Sequence, residues 1–265
     1  MTTTNEETTA APDPFANSQG GSKAYPYGCL TDVGRVREIN QDSVSSDPSR
    51  GLFIVADGMG GHLAGEKASI SAVETIDAML THEALQVPAA DLPRLIRDAV
   101  QAANRVIVQA SLSDASMRGM GTTTTMAVAG ADLVVVGHIG DSRAYLLTAS
   151  GIEQVTEDHS VVAQLLRARA ITPAEALRHP YRNVITKCLG MQMEVEADIT
   201  TVRWGSGDAL LICSDGLSGL VSDEEMHRVV YAASHPQQAC EQLVALANER
   251  GGHDNISVVV FHHAS

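Results

Sequence analysis

An α+β arrangement, with helices covering antiparallel sheet, is what this chain of 265 residues leads one to expect. Apolar runs of strand length recur from Tyr27 onward, and some are separated only by Gly130-Ala131-Asp132 or Gly140-Asp141. Links that short make hairpins, whereas parallel neighbours need a crossover of roughly a dozen residues. The helical patterns come grouped, two between the third and fourth strand runs and two before the last run. That grouping departs from βαβ alternation.

Residues 1–24 are rich in Thr, Ala, Pro, Asn, Ser and Gly, with little to bury, and are expected to be a disordered tail. Strand runs follow at Tyr27–Val33, Ser43–Ser46 and Gly51–Ala56, rich in β-branched and aromatic residues and bounded by turn residues. A helix is predicted over Ala64–Leu80, with Ile70, Val73, Ile76 and Leu80 on one face, and another over Leu92–Ser111. Thr122–Ala129, Leu133–His138 and Ser142–Leu147 are the next strands. Helical pieces at Val161–Ala170 and Pro173–Leu177 precede a strand at Ala209–Cys213. Ser222–Tyr231 opens on Ser and acidic residues, a helix-start signal, and Pro236–Asn248 is amphipathic. Ile256–Phe261 closes the pattern as a strand.

Hydrophobic residues make up 44% of the chain and aromatics 3%, so the core must be built from Val, Ile, Leu, Ala and Met. The apolar stretch from Met126 to Ile139 is broken by Asp132 and His138, and no run is long enough to span a membrane. No basic start leads into an apolar segment, so no secretory signal is read and a cytoplasmic location is expected. A net charge of -14 argues against nucleic acid, whose phosphates would be repelled. Cys29, Cys188, Cys213 and Cys240 are widely spaced and read as reduced, buried small hydrophobes.

The chemistry is carried by carboxylates at strand ends. Val55-Ala56-Asp57-Gly58-Met59-Gly60-Gly61-His62 puts an Asp at the end of an apolar strand, followed by residues of little bulk and an imidazole. The pattern returns in His138-Ile139-Gly140-Asp141-Ser142 and Ile212-Cys213-Ser214-Asp215-Gly216, and Asp254 stands just before the last strand. Oxygen ligands without His or Cys at ligand spacing favour Mg²⁺ or Mn²⁺ over zinc. Each Asp alone is as well explained as a turn residue; the four together are not.

In order along the chain, TDVGRVREINQDS (31–43), VADGMGGHLAGEKAS (55–69), MGTTTT (120–125), HIGDSRAYLL (138–147), TEDHS (156–160), HPYRNVITKCLG (179–190), CSDGLSGL (213–220) and HDNISVVV (253–260) resemble the bacterial branch of the PPM family. These are the metal-dependent, type 2C Ser/Thr protein phosphatases. The resemblance covers Tyr25 to the C-terminus. It implies a four-layer α-β-β-α sandwich, two central antiparallel sheets flanked by helix pairs, forming one phosphatase domain over 25–265 with a flap insertion at about 159–190.

The same resemblance implies two Mn²⁺ or Mg²⁺ ions and a third, weaker one. Asp57 would bridge the first two, with the Gly58 carbonyl on one of them and Asp215 and Asp254 on the other. Asp141 matches the position of the third ion, and Asp42 would hydrogen-bond metal-bound water. A hydroxide held between two cations about 4 Å apart would attack phosphorus. Arg37 would grip substrate phosphate, which suits its planar fork of donors; the plain alternative is a surface arginine paired with Glu38 or Asp42. His62 either protonates the departing alkoxide as general acid or has a structural or water-orienting role. Thr122 to Thr125 read as packing residues, and His253 as a hydrogen-bonding neighbour of the site.

Phosphorylated proteins are the expected partners, namely a Ser/Thr protein kinase and its substrates, with the chain acting as a monomer. A non-catalytic member of the same family would have lost metal ligands, and Asp57, Asp215 and Asp254 are all present. A phosphatase serving a sigma-factor partner switch or a secretion-associated kinase would share fold and metals. The segment 159–190 carries Arg167, Arg169, Arg178, Arg182 and Lys187 against Glu175 alone. These cations either draw acidic phosphorylated segments to the flap or pair with the acidic body.

Overall fold

The computed structural model describes residues 25–61 and 63–264. The expected tail over 1–24 and the candidate His62 lie outside the described residues. The first half contains β1 (Tyr27–Asp32), β2 (Asp42–Asp47), β3 (Leu52–Met59), α1 (Leu63–Met79), α2 (Leu92–Ser113), β4 (Gly121–Thr122), β5 (Thr124–Ala129) and β6 (Leu133–Ile139). The second contains β7 (Arg143–Thr148), β8 (Gly151–Gln154), α3 (Val161–Arg167), α4 (Pro173–Ala176), β9 (Asp198–Arg203), β10 (Ala209–Cys213), α5 (Asp215–Ser218), α6 (Asp223–Ala232), α7 (Pro236–Glu249) and β11 (Ile256–His262).

These strands form two antiparallel sheets, one in the order β1-β11-β10-β7-β8 and one in the order β2-β3-β5-β6-β9, with β4 added on β3. Helices α1 and α2 cover the outer face of the second sheet, sealing a core that includes Ile54, Ala68, Ile76, Ile96 and Met126. Helices α6 and α7 cover the outer face of the first, over Leu211, Met226, Leu243 and Val258. Between the sheets lies a third core, where the few aromatics gather: Phe53 stacks on Phe261 at 3.9 Å and Trp204 meets Phe261 edge-on at 5.7 Å. The result is the expected four-layer α-β-β-α sandwich.

Two local expectations are corrected. Gly130-Ala131-Asp132 does join a hairpin, β5 to β6. Gly140-Asp141 does not, because β6 belongs to one sheet and β7 to the other. The chain crosses between sheets there, held by Gly140 N–H donating to His159 Nδ1 at 3.0 Å and His159 N–H donating to the Gly140 carbonyl at 2.7 Å. Ile70 is also not on the buried face of α1, which is instead Ala64, Gly65, Ala68, Ser69, Ala72, Val73 and Ile76. Small side chains let the helix lie close against β2 and β3, and a stripe of small residues is weaker in hydrophobicity than a lone Ile on the far side. The four cysteines are all free thiols, and three of them are buried. Among the described residues, no helix is long and apolar enough to cross a membrane.

Candidate active site

The candidate carboxylates come from separate segments that end at the same edge of the sandwich. Register places Asp42, first residue of β2, directly opposite Asp57 in β3. Paired strand residues of that kind sit about 5 Å apart at Cβ, so two carboxylates there repel unless something compensates them. Asp215 opens α5 two residues after the end of β10, and Asp254 stands two residues before β11, the neighbour of β10. Asp141 lies in the crossover from β6 to β7.

The electrostatics show that these groups sense one another. Burial pushes the Asp57 carboxyl well above its usual range, and the charges of Asp42, Asp215, Asp141 and Asp254 push the same way. Asp42 is pushed up to about 7, by burial first and then by Asp215 and Asp254. Asp141 is also pushed up to about 7, by burial and by Asp215 and Asp158. Asp215 is raised by burial and by Asp254, while a hydrogen bond shared with Asp57 and the charge of Arg37 act against the rise. Among the described residues, no three Asp, Glu, His or Cys side chains already converge as an ion's ligand set. Mutual repulsion opposes any tighter approach of unneutralised carboxylates.

Two oxygens fit a cation. Asp42 Oδ2 accepts a hydrogen bond from the Ser214 hydroxyl at 2.8 Å, but its Oδ1 is buried without a partner among the described residues. Asp141 Oδ1 is likewise buried and unpartnered among the described residues. A buried carboxylate oxygen with no donor is costly, and a divalent ion or its water is a partner that such an oxygen can take. The donor set is all oxygen, the set that hard cations prefer.

Close packing of backbone defines the floor of the site. A Cβ on Gly58 would lie 2.1 Å from the Gly65 carbonyl oxygen and 2.5 Å from that of Gln41, so only glycine fits. Thr122 and Thr123 correct the packing reading given to them. The Thr122 hydroxyl donates to the Asp57 carbonyl at 2.9 Å, Asp57 N–H donates to the Thr123 hydroxyl at 2.9 Å, and Thr123 N–H donates to the Asp57 carbonyl at 2.8 Å. They hold the backbone of Asp57 on both sides. Ser214 and Asn255, which sequence reasoning passed over, hold Asp42 and the loop before it. A small polar residue adjoining a strand-end Asp is the only signal that could have found them.

Arg37 pairs with neither Glu38 nor Asp42. Its Nη2 donates to Asp254 Oδ2 at 2.8 Å, with half of its side chain exposed. His253 is exposed and makes no side-chain hydrogen bond among the described residues, against expectation. The flap cations divide. Arg167 pairs with Glu157 at 2.7 Å and Lys187 with Asp198 at 2.8 Å, whereas the exposed Arg169, Arg178 and Arg182 enter no ion pair among the described residues. The flap is anchored next to the site: Leu189 bridges to Thr122, and His159, whose Nε2 donates to Asp198 at 3.1 Å, also holds Gly140.

The sequence profile described as Protein phosphatase 2C matches residues 34–249. The chain belongs to the protein phosphatase 2C family. It is 36% identical over 233 residues to the serine/threonine phosphatase stp of Listeria monocytogenes, covering 87% of this chain and 92% of that one. The crystal structure of the serine/threonine phosphatase PstP/Ppp of Mycobacterium tuberculosis superposes with a TM-score of 0.83 at 36% identity, covering 90% of this chain and 98% of its own. A second structure, the catalytic domain of PstP in complex with 2 manganese ions, gives a TM-score of 0.79 at 37% identity and covers 89% of this chain and 96% of its own. The sandwich is thus that of a protein phosphatase 2C.

Proposed function

We propose that this protein phosphatase 2C removes phosphate from phosphoserine and phosphothreonine in proteins with the help of Mn²⁺ or Mg²⁺, and so reverses a Ser/Thr kinase. One observation carries the reading: the carboxyl groups of Asp42, Asp57, Asp141 and Asp215 are all raised by burial and by neighbouring carboxylates, and the buried Asp42 and Asp141 each have an oxygen without a partner among the described residues. Asp57, the Gly58 carbonyl, Asp215 and Asp254 would hold two ions, and Asp141 a weaker third. Bound there, such ions supply an acidified water and offset charge on the phosphoryl oxygens.

The chain's own side chains do the rest. Asp42, fixed by Ser214, offers its free Oδ1 as the acceptor that orients a water toward phosphorus. Arg37 reaches the rim on an exposed loop, and a phosphate can accept two parallel hydrogen bonds from its guanidinium in place of Asp254. His62 stands next to this edge in sequence and would deliver a proton to the departing alkoxide. Arg169, Arg178 and Arg182 supply positive charge on the flap for acidic residues flanking the phosphorylated one.

The test is hydrolysis of phosphothreonine, phosphoserine and phosphotyrosine peptides with and without Mn²⁺. Expected are activity on the first two, loss in EDTA, and a drop of about 10³-fold or more in kcat for Asp57→Ala and Asp215→Ala. Turnover that persists in EDTA or in either variant contradicts the reading. For the flap, replacing Arg169, Arg178 and Arg182 with Ala together should raise KM for phosphopeptides while leaving a small aryl phosphate unaffected. An equal change on both substrates would remove the flap from recognition.

A further inference from the structure

Residues 33–41, between β1 and β2, carry Arg37 at their exposed tip and have no regular structure of their own. A loop of this length would sample many conformations unless fixed at its ends. Asn40 Nδ2 donates to the Thr31 hydroxyl at 2.8 Å and Gly34 N–H to Asp32 Oδ1 at 2.8 Å, but the side chain with the most bonds to the loop backbone is Asn255. The amide of Asn255, nine-tenths buried, accepts from Gln41 N–H at 2.8 Å and donates to the Val33 carbonyl at 2.9 Å and the Ile39 carbonyl at 3.0 Å. It thereby ties Val33, the first residue of the loop, to Ile39 and Gln41 near its far end and closes the loop into a ring around itself. Arg35 N–H adds a bond to the Gly252 carbonyl at 2.8 Å. The loop lies so close to this turn that a Cβ on Gly34 (φ +82) would sit 2.3 Å from the Asp254 carbonyl oxygen.

Asn255 also follows Asp254, the residue that Arg37 contacts at 2.8 Å. One short turn therefore sets both the acidic group and the loop that delivers the guanidinium opposite it. We propose that Asn255 is a positioning residue for substrate phosphate, acting through Arg37 by clipping the 33–41 loop shut. It touches neither substrate nor ion itself. The inference rests on the phosphate-gripping role proposed for Arg37. An amide is needed because the three backbone groups comprise one donor and two acceptors: a carboxylate cannot donate to the carbonyls, and an ammonium cannot accept from the amide.

The experiment is a double-mutant cycle between Asn255→Leu, which keeps a branched side chain without hydrogen bonds, and Arg37→Ala. Asn255→Leu alone should raise both KM for a phosphothreonine peptide and the inhibition constant of inorganic phosphate about tenfold, with kcat within about twofold. In the Arg37→Ala background it should add less than about twofold. Mn²⁺ affinity by titration calorimetry should not change, which separates the clip from damage to the metal ligands. Hydrogen exchange in the peptide spanning 33–41 should quicken in Asn255→Leu while β11 stays protected; this readout needs no turnover and so stands even if the wild type proves inactive. Asn255→Ser, which keeps one small hydroxyl, runs through the same series in case the Leu variant folds poorly. Equal losses in both backgrounds, weakened Mn²⁺ binding with unchanged phosphate inhibition, or unaltered exchange at 33–41 would each overturn the proposal. Wild-type inactivity with Mn²⁺ would instead remove the phosphatase reading and leave exchange to decide the clip.

Discussion

Arg37 stands between two anions, the Asp254 carboxylate that it contacts at 2.8 Å and the phosphate that it is proposed to receive. Removing it should affect the two sides differently. Arg37→Ala is expected to raise KM for phosphopeptides about tenfold or more, whereas Mn²⁺ should bind at least as tightly because Asp254 loses a competing cation. Kinetics and titration calorimetry on the same preparation would check this, and weaker Mn²⁺ binding would refute it. Asp42 offers a second test. The Ser214 hydroxyl donates to its carboxylate and so favours the ionised form against burial. Ser214→Ala should push the Asp42 carboxyl higher still, moving the acid limb of the kcat/KM profile in Mn²⁺ toward higher pH. A limb that stays in place, or moves down, would show that Asp42 does not act as a carboxylate.

The segments are positioned by packing that local pattern only partly reveals. Helix α1 presents Ala64, Ala68 and Ala72, all buried, to the sheet, and there is no room for larger groups. Ala72→Leu should therefore destabilise the fold by about 1–3 kcal/mol through overpacking, read as a lower midpoint in urea. A change to Leu at the exposed Ile70 (Ile70→Leu), which adds no bulk, should be close to neutral. The crossover at Gly140-Asp141 is the other decisive segment. It carries Asp141 between the two sheets, and its hydrogen bonds to His159 join it to the start of the flap.

Taken together, the sandwich holds a buried acidic centre within a chain of net charge -14. The cost shows in its response to pH. Asp42 and Asp141 are raised from 3.8 to about 7, so their neutral forms favour the folded state. That contribution is complete below the unfolded value and is lost as pH rises through the folded one. Thermal melts in EDTA are accordingly expected to fall between about pH 5 and about pH 8. With Mn²⁺ at about 100 times its dissociation constant, binding adds about 2.7 kcal/mol and the midpoint at the higher pH should recover. A melting temperature that ignores Mn²⁺ at both pH values would argue that no ion is held.

The strand-end Asp-Gly signals, most strands and the long helices were legible in the residues because each depends on a few neighbours: an apolar run, a turn residue, a cap. So were the scarcity of aromatics and the reduced cysteines. Strands β8 and β9 were missed because they are short or half-exposed edge strands without clean alternation. The Gly140-Asp141 link looked like a hairpin because two residues can equally turn a strand back or pass it to a facing sheet, and only the partners of β7 decide which. The same holds at the site. Sequence order named the carboxylates, but that Asp42 faces Asp57, that Arg37 meets Asp254 across 217 positions, and that one buried amide closes the loop between them are matters of long-range contact. Local chemistry chooses the groups; the packing of two sheets face to face sets the distances between them, and charges interact through distance.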